Sequence, residues 1–271
     1  MKVFELNGDA KVVAFKDIKG RSAIIVDDFY RDPDEVRELA KSLKYGDDEA
    51  LKGGFPGIRA SLGTPEVKEK LYNLYLDLCD NKLWKPKVQK TQLLEDGSFR
   101  IPLRIKNRPF DIDEFNRNWD NQGFMVNCTN DSFIKKNPLA EIPHQDYWYD
   151  ATASTYQFGS VVYLNTPDEC AGGTNLYSYN GEMSIPPNRV ELWRQNMCET
   201  YDIKGPVLTS MSEEQQFKNI KDKINKQYTV EFEVDMVYNR MVLYQTDVLH
   251  KADIDLGMFT DYNRINQVFF L

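Results

Sequence analysis

The sequence predicts a mainly β protein with N-terminal helices, folded as a jelly roll or double-stranded β-helix. Three observations carry this. From about residue 88 the chain breaks into short alternating segments rich in Val, Tyr, Phe and Thr. Two helix patterns precede these strands instead of alternating with them, which disfavours a βαβ arrangement. Neither G-x-G-x-x-G nor G-x-x-x-x-G-K-[ST] occurs, so the phosphate-cradling signatures of doubly wound folds are missing.

Taken in order, "SAIIVDDFY" (22–30) reads as a short buried strand. "DPDEVRELAKSLKYG" then reads as a helix with Asp32 as N-cap, Pro33 in its first turn and Glu35 completing a capping box. Val36, Leu39, Ala40 and Leu43 form its apolar stripe, and Gly46 is placed to close it. A second helix is expected from Thr64-Pro65 through Val67, Leu71, Leu74 and Leu78. Between them, the Gly/Pro loop "GGFPGIRAS" (53–61) carries Arg59, read as a structural or solvent-exposed residue. "QKTQLLEDGSFRIPLRI" suggests a hairpin around Asp96-Gly97. Strands follow at 123–129, 156–165, 172–179, 228–238, 240–250 and 264–271, with Asn239 in a tight turn and Gly172 and Gly173 as positive-φ turn glycines. Residues 181–227 interrupt them with a polar stretch ending in the helix "SEEQQFKNIKDKINKQ", capped by Ser212 and Gln215. This is an insertion placed to cover a pocket, and its helix is read as a solvated face. The expectation is one domain over 1–271: a helical support region at 1–90 and a jelly-roll core at 91–271.

Composition narrows the function classes. A net charge of −8 and a pI near 5.0 lack the basic footprint of a nucleic-acid binder, so no nucleic-acid partner is expected. The cysteines Cys79, Cys128, Cys170 and Cys198 form no C-x-x-C pair and read as reduced thiols of a cytoplasmic protein. No apolar run approaches membrane-spanning length and no signal-peptide core is visible, so no membrane association is expected.

Only 2 histidines occur, and one lies in "EIPHQDYWYD" (141–150), two residues before Asp146. In an extended segment, alternate side chains share a face, so His144 and Asp146 project together. The other, His250, ends the apolar segment "NRMVLYQTDVLH". Two histidines and one carboxylate make a facial triad with open coordination positions, the usual ligand set of non-haem Fe(II) oxygenases. Arg264 opens the final strand. An arginine inside a barrel calls for an anion, and its planar fork suits a carboxylate. Together these suggest 2-oxoglutarate, chelating the metal at one end and pairing with Arg264 at the other. Of the aromatics that follow Asp146 (Tyr147, Trp148 and Tyr149), at least one is placed to line a substrate cavity.

At these residues the sequence resembles the Fe(II)/2-oxoglutarate-dependent dioxygenase superfamily, over roughly 120–271. The resemblance rests on H-x-D (His144, Asp146), "VVYLN" (161–165), "GGT" (172–174), His250 and Arg264 in that order. The "YLN…GGT" tract is most similar to the prolyl-hydroxylase-type branch, which implies a place for Tyr163 in the 2-oxoglutarate pocket. "MVNCT" (125–129) is similar to the strand that precedes H-x-D in that branch, where a tyrosine stands at the position of Thr129. The resemblance implies metal ligation by His144, Asp146 and His250, and consumption of O2 and 2-oxoglutarate. It implies hydroxylation of an unactivated C–H bond, on a small molecule or a peptidyl side chain, with release of succinate and CO2. Two alternatives stay open: a cupin-like metalloenzyme that does not use 2-oxoglutarate, and a jelly-roll binding module. Metal-dependent conversion of 2-oxoglutarate to succinate separates all three.

Overall fold

The structure, a computed structural model, describes residues 3–46, 57–61, 92–93, 99–100, 124–136, 141–146, 158–185 and 212–270. The described strands are β1 (Lys11–Ile18), β2 (Arg21–Asp27), β3 (Ile58–Ser61), β4 (Gln92–Leu93), β5 (Phe99–Arg100), β6 (Phe124–Thr129), β7 (Phe158–Tyr163), β8 (Gly173–Tyr179), β9 (Tyr228–Asp235), β10 (Met241–Gln245), β11 (His250–Asp253) and β12 (Arg264–Phe270). The helices are α1 (Pro33–Ser42), α2 (Asp131–Lys136) and α3 (Glu213–Gln227). A seven-stranded sheet runs β1-β2-β10-β7-β12-β6-β3, a three-stranded sheet runs β11-β8-β9, and β4 and β5 form a separate pair. Every pairing between these strands is antiparallel.

The two larger sheets enclose one apolar cluster. Ala23, Ile25, Val161, Tyr163, Val242 and Tyr244 enter it from the large sheet, Leu176 and Val234 from the small one. The opposite face of the large sheet, with Ile24, Val26, Val126, Val162, Leu243 and Ile265, is sealed by Phe29, Tyr30 and by Val36 and Ala40 of α1. Period-2 alternation along β2, β7 and β10 therefore serves two cores, one per face. The expected mainly β class and its strands from β6 onward are present. The hairpin expected around Asp96-Gly97 is seen in the Leu93–Phe99 pairing, its turn lying outside the described residues. So do the helix expected at 64–78, Tyr147, Trp148, Tyr149, and 186–211 of the insertion.

Several expectations need correcting. The region 1–90 is more than a helical support, because β1, β2 and β3 join the large sheet. The first helix stops at Ser42, before Gly46: Leu43 turns extended (φ −70°, ψ 151°), and Tyr45 Oη donates to the Ala40 carbonyl at 2.8 Å. Gly46 instead donates its N–H to the Arg59 carbonyl at 3.0 Å, bringing β3 back to the helix end. At the other end Asp32 caps as expected, accepting from the Glu35 N–H at 3.2 Å. The segment 240–250 is not one strand. A turn closed by Val248 N–H to the Gln245 carbonyl (3.0 Å) separates β10 from β11, so His250 opens a strand of the second sheet. The buried Val248 and Leu249 make the sequence read as continuous, but they pack as a crossover between sheets. Asn239 does take the left-handed turn conformation (φ 61°), and its side chain clasps the Tyr30 backbone through both amide atoms.

The Ser212–Gln215 capping box is also present. Helix α3 nevertheless has more than a solvated face, since Phe217, Ile220 and Ile224 are buried, the last two beside Tyr177, Tyr228 and Leu249. Covering of a pocket by the insertion therefore cannot be the work of α3, which is part of the core. No helix among the described residues is long and apolar enough to cross a membrane.

Candidate metal and anion site

Residues 141–146 are not a strand. They are an extended run laid along the β10–β11 crossover, which still places alternate residues on one side. His144 and His250 exchange both backbone hydrogen bonds (2.9 and 2.8 Å), and the Asp146 N–H donates to the Thr246 carbonyl at 2.9 Å. These rungs bring the three expected ligands together. One ligand atom from each of His144, Asp146 and His250 lies within 4.8 Å of the others, a group that could hold a metal ion. The imidazole rings stand 4.5 Å apart, centroid to centroid.

The hydrogen bonds around the group set its donor atoms. His250 Nδ1 lies 2.8 Å from the Val248 carbonyl, so Nδ1 carries the proton and Nε2 faces Asp146 Oδ2 at 3.2 Å. His144 Nε2 is 3.9 Å from Asp146 Oδ1, and the ring is hydrogen-bonded to the Ile142 backbone. The His144 side chain is 54% exposed while protein closely surrounds it, the situation of a group on a cavity wall. That crowding, followed by the charge of His250, pushes its pKa down to about 4. Burial opposes the charge on His250 and on Asp146, but their mutual attraction outweighs it: His250 is raised and Asp146 lowered. A carboxylate and a neutral imidazole are already in ligand form.

A second group of polar residues lies on the inner face of the large sheet. Residues paired directly across a ladder point to one face, and the register aligns Arg59, Asn127, Asn266 and Tyr163 in a single row, with Arg264 opposite Thr129 in the next. Tyr163 belongs to the cluster between the sheets, so both rows face the interior. Arg264 is only 3% exposed. Its Nη1 donates to Asn266 Oδ1 at 2.7 Å, its Nη2 to the Gly173 carbonyl at 3.3 Å, and its guanidinium carbon lies 5.6 Å from the centre of the Tyr163 ring. All these partners are neutral, and among the described residues no carboxylate forms an ion pair with it. Burial lowers its pKa. Arg264 Nε, Thr129 Oγ1 and Asn127 Oδ1 are buried with no hydrogen-bond partner. Ser160 Oγ and Gln267 Nε2, on the opposite face of the same sheet, are orphaned too, and a bound polar ligand is one explanation for such atoms.

Tyr163 is fully buried and donates to Thr174 Oγ1 at 2.6 Å, so it orients the pocket and supports Arg264. The two glycines of "GGT" differ in kind. Gly172 has the expected positive φ (64°), but Gly173 is not among the positive-φ residues. Gly173 is required for space: a Cβ there would lie 1.9 Å from the Val234 carbonyl oxygen.

Sequence reasoning missed several residues. Tyr244 packs at a tilt of 45° against His250 with ring centroids 4.4 Å apart, and, besides burial, both Asp146 and Arg264 act on its hydroxyl. Asn127 and Asn266 carry no motif, and Thr129 stood out only as the position where the resembling branch has a tyrosine. Their signal is the β6–β12 register, which no local pattern contains. Arg59 is not a solvent-exposed loop residue. It is part-buried in β3, and its charge acts on both Asp146 and His144.

Behind His250, Lys251 and Glu141 form a buried ion pair that ties β11 to the start of the ligand segment. No curated protein matches the chain. A family model described as a family of unknown function (DUF6445) matches residues 132–263, a stretch that contains the three metal-ligand candidates and Tyr163 but stops short of Arg264.

Proposed function

We propose that this protein is an Fe(II)- and 2-oxoglutarate-dependent oxygenase whose two sheets form a double-stranded β-helix. The observation that carries the reading is Arg264: a buried cation with neutral partners and an orphaned N–H, on the inner face that also bears the His144–Asp146–His250 group's neighbour Tyr244. Burying such a charge costs several kcal/mol unless an anion meets it. A dicarboxylate with one end at the metal group satisfies both halves at once.

The residues fit Fe(II) and 2-oxoglutarate. Two imidazoles and one carboxylate suit a borderline divalent ion and leave positions open for other ligands. When bound, Fe(II) with 2-oxoglutarate and O2 supplies the oxidising chemistry that hydroxylates a C–H bond and releases succinate and CO2. The chain's own residues hold, orient and exclude. The Val248 carbonyl fixes the His250 tautomer. Asp146 supplies the anionic ligand, and Arg264 receives the far carboxylate of the co-substrate. Asn266, the Gly173 carbonyl and the Tyr163 ring hold Arg264 in place. The apolar cluster behind Tyr163 and Tyr244 keeps water out, which strengthens every charge interaction in the pocket. The substrate is a small molecule or a peptidyl side chain.

The test is anaerobic loading with Fe(II) and 2-oxoglutarate, followed by O2 and measurement of succinate. Metal-dependent succinate is expected. In Arg264→Ala, 2-oxoglutarate affinity is expected to fall by roughly two to three powers of ten, the equivalent of about 3–5 kcal/mol for breaking a buried pair. Unchanged affinity would reassign the site to a metalloenzyme that does not use 2-oxoglutarate.

A further inference from the structure

The β3–β6 register places Arg59 directly opposite Asn127 on the inner face, in the same row as Asn266 and Tyr163. Asn127 is 4% exposed, and its side-chain oxygen has no hydrogen-bond partner. Arg59 is part-buried. Its five N–H donors form a fork matched to a carboxylate, and several partners can share them. The charge of Arg59 acts on Asp146 and His144. Arg264 stands on β12 and Arg59 on β3, with β6 between them in the sheet.

The roles of the two arginines separate on this geometry. Arg264 is surrounded by residues that fix it, whereas Arg59 sits at the edge of the sheet beside one unsatisfied amide. A fork next to an orphaned amide oxygen matches a carboxylate with a hydrogen-bond donor on the adjoining carbon. That grouping is found in free amino and hydroxy acids and is lost when the carboxyl is converted to an amide. We infer that Arg59 and Asn127 form the subsite that selects the substrate, and that the substrate is a small amino or hydroxy acid bound through its free carboxylate. The inference rests on the oxygenase reading for the position of the reacting carbon, and it names the substrate class for that same site.

The test uses the full chain loaded with Zn(II), which takes the same ligands without redox chemistry, and with 2-oxoglutarate. The twenty free amino acids and a set of C2–C6 hydroxy acids are titrated calorimetrically, each beside its carboxamide. At least one acid is expected to bind, with its amide weaker by about tenfold or more. Arg59→Gln is expected to abolish that difference, Arg59→Lys to keep part of it, and the near-isosteric Asn127→Asp to weaken the acid by repulsion. In Arg59→Gln, 2-oxoglutarate affinity should stay within about twofold of wild type, and any change in metal affinity should be a gain, because a cation acting on Asp146 and His144 is removed. Acids and amides binding equally, no panel member binding, or Arg59→Gln weakening 2-oxoglutarate instead of the acid would each overturn the assignment while leaving the oxygenase reading in place. Failure of the wild type to take metal or 2-oxoglutarate would overturn both.

Discussion

Where β2, β10 and β7 meet, the inner face of the large sheet presents Ala23, Ile25, Val242 and Val161, buried against Leu176 and Val234 of the facing sheet. A few strands away, where β12, β6 and β3 meet, the same face presents Arg264, Asn266, Thr129, Asn127 and Arg59. Backbone geometry, strand direction and burial are much alike in the two halves. Only the side chains differ. The first half gains stability from apolar burial, at about 25 cal/mol per Å². The second gives up stability by burying polar atoms without partners. Unpartnered polar atoms on this half of the inner face support the binding role proposed for it, while Ser160 Oγ and Gln267 Nε2 are orphaned on the opposite face as well.

The strongest way to break the comparison is to remove a metal ligand. His250→Ala should take metal content from near one ion per chain to near zero, measured by elemental analysis after loading and desalting. Its far-ultraviolet circular dichroism should stay that of wild type, because the apolar half is untouched. Loss of fold together with metal would show that the halves are not separable. Next is Arg264→Met, which puts an apolar side chain of similar length into the polar half. Affinity for 2-oxoglutarate should drop by roughly two to three powers of ten, while unfolding in urea without ligands should become harder by about 1–4 kcal/mol. A loss of stability would mean that Arg264 contributes to the core.

The complementary change, Ile25→Ala, should cost about 2–5 kcal/mol of stability through the lost burial and the cavity left behind, with metal affinity unchanged. The smallest effect is expected from Thr129→Val. Removing an orphaned hydroxyl that is 1% exposed should stabilise the chain by about 1 kcal/mol. A destabilised Thr129→Val would show that the hydroxyl is satisfied in the folded protein.

The same division explains what could be read from the sequence. The apolar half was legible because β2, β7 and β10 hold short runs, such as Ala23–Val26 and Met241–Tyr244, that are apolar at every position, and such runs need no partner to be recognised. The metal group was legible for a different reason: histidine is so rare here that His144 and His250 stand out, and Asp146 follows at a spacing with geometric meaning. The polar half was largely hidden. Asn127 and Thr129 alternate with Val126 and Cys128 as solvent-facing residues would in a half-buried strand, and only the pairing with β12 shows that they point inward. Arg59 sits in a Gly/Pro-rich stretch whose partner strand lies more than sixty residues away in the chain. Local patterns specify periodicity. They do not say which side of a sheet will meet water. The break between β10 and β11 was hidden too, because Val248 and Leu249 are as buried in a crossover as they would be in a strand.

The rung between His144 and His250 has one more consequence. It is an isolated bridge, supported by the neighbouring Asp146 to Thr246 bond, and it joins segments about a hundred residues apart. The Glu141–Lys251 pair and the bonds between Gln145 and Ile185 reinforce it, but a short seam outside the main ladders is a place where a folded chain can part before its sheets do. A divalent ion held by residues on both sides of it binds only when the seam is closed, so its binding free energy adds to the cost of opening. In the proposed reading the metal would act as a latch as well as a reagent. Protease resistance of the 141–146 segment would follow the free metal concentration, and a starved cell would hold not only an idle protein but a more perishable one.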